Sequence, residues 1–335
     1  DITSRVGEGI STRVDTAPLA RRGTAGDRRW PGRQWLGRAG RDGATFWAYR
    51  GASGLARRLP PGPPLPEAVG RAAAAMMPGR RALVAAHLRR ALGPGVPEPD
   101  LQAAVGAAFA SYARFWRDSF RLPTLSRAEV RASVAGEGIR HLRAGMARGR
   151  GVILALPHLG SWDYGAAWLA VTGYPMVVVV EPLPGDALFA WLVRMRLVLG
   201  IGVVPLGPGA VPTLTAALRA GRLVGLLCDR DIGGSGVTVP FFGEETTLPG
   251  GPATLALRTG AQLMPACVLD EPGGRHLAVV RPPIPVERAG SLPGDIARIT
   301  ASMAAELEVM IRRAPEQWHL FQPNWPGDPR PGSGS

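Results

Sequence analysis

Between residues 151 and 281 the chain alternates short continuous apolar runs with stretches of helical spacing. The runs fall at 151–157, 175–181, 202–206, 223–228, 236–242, 262–269 and 276–281, and they are rich in Val, Ile and Leu. Helical spacing falls at 161–172, 185–199, 210–220, 250–259 and 292–314. Apolar runs without alternation belong to strands covered on both faces. The pattern therefore predicts an α/β fold, with a mostly parallel central sheet of about seven strands flanked by helices. Upstream, residues 66–121 carry few strand signals. Leu101, Val105, Phe109, Tyr112, Phe115, Trp116 and Phe120 recur at three- and four-residue steps, which makes one apolar helical stripe and an N-terminal helical subregion.

Composition sharpens this picture. The 335 residues are 46% hydrophobic, enough for a substantial core, and carry a net charge of +13. All 39 basic residues are arginine. Such charge calls for an acidic partner. The arginines are spread along the chain and no zinc-finger, RNP or helix-turn-helix signature occurs, so nucleic acid is not expected and an anionic membrane surface fits better. Cys228 and Cys267 stand far apart without clustered histidines, which predicts neither a zinc site nor a disulfide and suits a reducing cytoplasm. The most apolar stretch, 187–206, is interrupted by Arg194 and Arg196, so no membrane span is predicted. Residues 1–43 read as a disordered extension, and 328–335, ending in PGSGS, as a flexible tail.

In parallel sheets functional side chains gather where strands end. His158 follows the apolar run 151–157, and Asp229 follows 223–228. In LPHLGSWDYG (156–165), Gly160 permits a tight turn, Ser161 reads as a helix N-cap, and Asp163 falls in the first helical turn. An imidazole acts as a base when a carboxylate fixes its other ring nitrogen. The spacing predicts that Asp163 plays that part for His158. On spacing alone, a hydrogen-bonded loop histidine beside a capping aspartate is equally allowed. Glu181 and Asp229 each end an apolar strand, where an unpaired carboxylate is costly, and Arg196 and Arg230 are the partners expected for them.

The His-x4-Asp pair, VVEPL (179–183), the block LLCDRDIGGSGVTVPFFGEETTLPGGPATLALRTGAQLMPA (226–266) and the ending PEQWHLFQPNWP (315–326) occur in this order. Together they resemble the bacterial lysophospholipid acyltransferases, in particular the branch of lipid A late acyltransferases and phosphatidylinositol mannoside acyltransferases. WHLFQPNW is most similar to the phosphatidylinositol mannoside enzymes. The resemblance implies one acyltransferase domain over 44–327, with a helical membrane-facing part (44–125), an α/β catalytic part (126–327) and a hydrophobic acyl groove between sheet and helices.

It further implies His158 and Asp163 as the catalytic motif, with Asp229 where the mannoside enzymes usually carry a glutamate. Glu181, Arg196, Arg230 and His319 would be substrate-binding. The oxyanion would find its donors among backbone N–H groups at 160–163 or at Arg196. The expected activity is an acyl-CoA-dependent O-acyltransferase, with acyl-CoA as co-substrate and no cofactor or metal. Its expected acceptor is an anionic glycolipid, the mannose of a phosphatidylinositol mannoside. A peripheral monomer on the cytoplasmic side of the plasma membrane is expected. An acyl-thioester hydrolase, and a non-catalytic lipid-binding protein on the same fold, are the alternatives.

Overall fold

A computed structural model describes residues 44–58, 64–181 and 186–329. Four helices come first: α1 (Ala44–Arg58), α2 (Pro64–Met76), α3 (Pro78–Leu92) and α4 (Glu98–Arg121). Next come α5 (Arg127–Ala132), β1 (Val134–Glu137), α6 (Ile139–Ala147), β2 (Val152–Leu156), α7 (Trp162–Val171), β3 (Met176–Val180), α8 (Asp186–Val198), β4 (Gly202–Pro205), α9 (Ala210–Arg219) and β5 (Leu223–Leu227). The chain continues through β6 (Val237–Phe241), β7 (Glu244–Leu248), α10 (Gly251–Thr259), β8 (Gln262–Glu271), β9 (Arg275–Val280) and α11 (Leu292–Arg313).

Seven strands form the central sheet in the order β1-β9-β8-β2-β5-β3-β4. The five from β8 to β4 run parallel, while β9 and β1 run the opposite way at one edge. β2 reads Val-Ile-Leu-Ala-Leu and is buried at every position, as a central strand with helices on both faces must be. Its parallel register with β5 places Val152 opposite Leu223 and Leu156 opposite Leu227.

The run 236–242, expected in this sheet, is not part of it. β6 pairs only with β7, as an antiparallel hairpin. Its two turn residues, Phe242 (φ 52°) and Gly243 (φ 78°), both take the left-handed conformation that a tight hairpin needs. Phe242 holds that unusual conformation because its N–H donates to Glu308 of α11 and its ring packs on Trp318. The seventh strand is instead β1, a four-residue edge strand too short and too polar on its exposed side to stand out in the sequence.

α4 carries Glu98 and Asp100 in its first turn and Arg121 in its last, complementing the helix dipole. Its buried side chains include the predicted Leu101, Val105, Phe109, Phe115 and Phe120. Among the described residues no helix is long and apolar enough to cross a membrane. The expectation for residues 1–43 lies outside the described residues. Asp328, expected to begin a flexible tail, is buried: its carboxylate accepts from His87 of α3 at 2.8 Å and from Arg90 at 2.8 Å.

Candidate active site

β2 ends at Leu156, and the chain turns at Leu159–Gly160 before α7 begins. Gly160 has φ 61°, and a Cβ there would lie 2.0 Å from the Val268 carbonyl oxygen, so only glycine fits. The turn is fixed from two sides. The Gly160 N–H donates to the Gln317 carbonyl (2.9 Å), the Ser161 N–H to the Val268 carbonyl (2.8 Å), and the His319 N–H to the His158 carbonyl (2.6 Å). Sheet strand β8 and the segment after α11 therefore clamp the peptide that carries His158. Two of the backbone donors expected to face an oxyanion are already engaged in this clamp.

The group that orients His158 is Asp229. Its Oδ1 accepts from His158 Nδ1 at 2.6 Å, and its Oδ2 accepts from the His158 backbone N–H at 2.9 Å and from the Trp318 indole N–H at 2.8 Å. The sheet register explains the meeting. Leu156 lies opposite Leu227, so the residues two places further on, His158 and Asp229, emerge side by side from adjacent strands. The shorter carboxylate of aspartate reaches the ring without strain. Asp229 is fully buried. Burial opposes its ionisation, yet the charge and hydrogen bonds of His158, with the Trp318 N–H, hold its carboxyl below the ordinary carboxylate range. An ionised acceptor on Nδ1 requires the proton there, which leaves the Nε2 lone pair free. The His158 side chain keeps 20% of its surface accessible, and the edge of Trp162 lies against it with centroids 5.6 Å apart.

Asp163 does not touch His158. The first turn of α7 points it at α8, where its two oxygens accept from Arg196 Nε and Nη2, both at 2.9 Å. Both side chains are largely buried. The pair is a two-pronged bolt between α7 and α8, so that Arg196 is engaged by Asp163 and not by Glu181. Ser161 stands at the N-cap position of α7 without capping it, since its hydroxyl donates to Asp270 at 2.6 Å.

Glu181 pairs with Arg230, whose Nη2 donates to it at 3.1 Å while Nη1 donates to Gln322 at 2.6 Å. These two residues and Asp229 thus do sit together at the strand ends. The His319 ring is enclosed, with Nδ1 buried and without a hydrogen-bond partner. The imidazole is buried against Tyr112, Phe115 and Trp162, Nε2 is paired with Ser111 at 3.0 Å, and burial pushes its pKa down to about 3. Its contribution to the site is the backbone bond to His158. Trp318 and Gln317 were missed as supporting groups, although the Trp-rich ending had marked the segment. A carboxylate at the end of a neighbouring strand was the available clue to the pairing of His158 with Asp229.

A small apolar pocket lies between the sheet and α7, lined by Leu156, Trp162, Leu169, Met176 and Val268 among others. A roomier groove of about 500 Å³ lies elsewhere, among α1, α2, α4 and the C-terminal segment, lined by Leu55, Val69, Ala73, Phe109, Tyr112, Trp116 and Phe120 among others. Phe321 and Gln322 also line it.

Comparison with known proteins follows the same lines. The profile of the bacterial lipid A biosynthesis acyltransferases matches residues 38–326. A phosphatidylinositol mannoside acyltransferase of Mycolicibacterium smegmatis is 36% identical over 248 residues, covering 72% of this chain and 80% of the relative. The protein of the same name from Mycobacterium tuberculosis H37Rv is 37% identical over 251 residues, covering 72% and 76%. A lipid A biosynthesis acyltransferase of Haemophilus influenzae is 26% identical over 183 residues, covering 54% and 55%. With a match across most of its length, this chain belongs to the bacterial lipid A biosynthesis acyltransferase family and is an acyltransferase.

Proposed function

We propose that the protein transfers a fatty acyl group from acyl-CoA to a hydroxyl of an anionic glycolipid, the mannose of a phosphatidylinositol mannoside, with His158 as the base. The observation that carries this reading is the His158–Asp229 pair, in which a buried carboxylate holds the proton on Nδ1 and leaves Nε2 open. The names of the mycobacterial relatives support the acceptor class.

Nε2 takes the proton from the acceptor hydroxyl as its oxygen attacks the thioester carbonyl. A C–O bond forms, and the tetrahedral oxyanion collapses with loss of the C–S bond. The imidazolium returns its proton to the departing CoA thiolate. Asp229 offsets the imidazolium charge while it exists, as the orienting carboxylate does in other His-based acyl-transfer sites. Arg230, beside the base and tied to Glu181, faces the polar part of the acceptor.

The protein works on an anionic bilayer. Trp47 and Leu55 of α1, with Val69 and Met76 of α2, are exposed large apolar side chains beside Arg50, Arg58 and Arg71. Apolar side chains among arginines suit the headgroup region of such a leaflet.

The test is acyl transfer by purified protein from palmitoyl-CoA to a phosphatidylinositol mannoside in anionic vesicles, read by mass spectrometry. Wild type should form the acylated lipid with release of one CoA per product. His158→Ala should lose at least a thousandfold in rate and still bind the vesicles. Free fatty acid as the sole product would replace acyl transfer by thioester hydrolysis, and unchanged turnover in His158→Ala would remove the base.

A further inference from the structure

α4 presents two different faces to two different tasks. Ser111 and Phe115 point toward the site, the first bonded to His319 and the second packed at a tilt against Trp162 with centroids 4.0 Å apart. Phe109, Ala113, Trp116 and Phe120 lie on another face, at about 100° per residue nearly half a turn away, and they line the apolar groove. The helix therefore stands between the groove and His158. Hydrogen-bonded contact between them runs around its end, through Gln322, which lines the groove and accepts from Arg230, the residue after Asp229, while across the helix only the packed ring of Tyr112 meets His319.

The groove has the dimensions of one fatty chain. From Phe109 to Phe120 it follows α4 for eleven residues, about 16 Å at the helical rise. That is about half the roughly 30 Å hydrocarbon core of a bilayer, the depth of one leaflet. Along its rim Leu55 (56% exposed), Val69 (49%) and Met77 (47%) leave it open sideways, so that a chain can enter from a membrane without being threaded.

Resting on the acyl-transfer reading, we propose that this groove seats one hydrocarbon tail of the anionic lipid acceptor, and not the chain being transferred. The order of polar and apolar surfaces decides between the two. A donor with its thioester at Nε2 would have to lay its first methylenes across the Arg230–Gln322–Glu181 cluster, stripping charged groups of water for no hydrogen bond. An acceptor matches the order: its hydroxyl reaches Nε2, its polar headgroup crosses the charged cluster, and its tail enters the groove. Arg80, which lines the groove and donates to the Phe321 carbonyl at 2.6 Å, stands beside the Gln322 side of the groove, where a lipid phosphate would lie.

Filling the groove tests this. Ala113→Phe on α4 and Ala73→Leu on α2 should each raise KM for a dipalmitoyl acceptor about tenfold while KM for palmitoyl-CoA stays within twofold. A rise in KM for palmitoyl-CoA, or a shift toward shorter donors, would overturn the proposal in favour of a donor channel. Should both variants fail to fold, the wild-type enzyme decides. KM should fall as acceptor tails lengthen from hexanoyl to palmitoyl, and indifference to tail length would overturn the assignment. Binding is read apart from turnover by the quenching of tryptophan fluorescence with a monomeric phosphatidylinositol carrying brominated chains. Quenching that is lost in Trp116→Phe supports the tail seat even if no acyl transfer is found. Quenching unaltered by that substitution overturns it even if transfer is efficient.

Discussion

Replacing Asp229 by Asn keeps the shape of the side chain and changes only its hydrogen-bonding character, and the geometry dictates how the enzyme responds. One carboxylate oxygen faces two donors, the His158 backbone N–H at 2.9 Å and the Trp318 indole N–H at 2.8 Å; the other faces Nδ1 at 2.6 Å. An amide can satisfy the two fixed donors only by placing its carbonyl oxygen there, which aims its NH₂ at Nδ1. Nδ1 must then accept, the ring proton moves to Nε2, and the lone pair that serves as base is gone. A wrong tautomer of this kind costs about ten-thousandfold in kcat where an orienting aspartate has been replaced, or about 5.5 kcal/mol of barrier. KM should move by less than about threefold, because no substrate contact is lost. Steady-state CoA release measured across pH 5–9 is the assay, with thermal unfolding to confirm that the variant is folded. If Asp229→Asn is folded and retains more than a tenth of the wild-type kcat, tautomer control by Asp229 is refuted.

Two further substitutions separate structural from chemical roles. Asp163→Asn breaks the two-pronged bond to Arg196, and the loss of one partner from a largely buried ion pair costs about 3–5 kcal/mol. The midpoint of thermal unfolding should fall by about 4–7 °C, and Arg196→Lys should cost less because one oxygen keeps a charge partner; calorimetry checks both, and an unchanged midpoint contradicts the bolt. His319→Gln tests acid sensitivity. Burial lowers the folded pKa of His319 to about 3, below its unfolded value of about 6.5, so protonation favours the unfolded chain. Its neutral form is thus fully compatible with folding above pH 6.5, and stability falls by up to about 1.4 kcal/mol per pH unit as pH drops from there toward 3. Urea unfolding between pH 7 and 4 should show a shallower decline in the variant, and identical slopes would mean that His319 does not titrate between the two states.

How much of this was legible in the chain depends on the range of the interaction. The apolar runs at 151–157 and 223–228 announce β2 and β5 because a strand buried on both faces needs no partner's help to be recognised. His158 at the mouth of β2 was equally visible. Its orienting carboxylate was sought five residues away, since proximity along the chain was the only distance the sequence supplies. In the fold that carboxylate comes from 71 residues away, and Asp163 turns aside to another helix. The same limit hid β1, whose four residues make a strand only because β9 lies beside them, and it placed 236–242 in the sheet when β6 pairs with β7 and packs on α11 instead.

One local rule would have recovered the pairing. In a parallel sheet two strands in register deliver residues at equal offsets beyond their ends to the same place, and His158 and Asp229 both stand two residues past a registered pair, Leu156 and Leu227. A titratable residue just beyond one buried strand should therefore be matched against those just beyond its possible neighbours before those nearby in sequence. The register itself follows from which strands lie adjacent, a property of the crossovers and not of any one segment. His319 marks the far side of that boundary. Its ring is buried because α4 happens to cover it, while its backbone N–H meets the His158 carbonyl because residues 317–319 run alongside the turn. A polar residue type can suggest that a segment reaches the site, but only packing decides whether the side chain or the peptide does so.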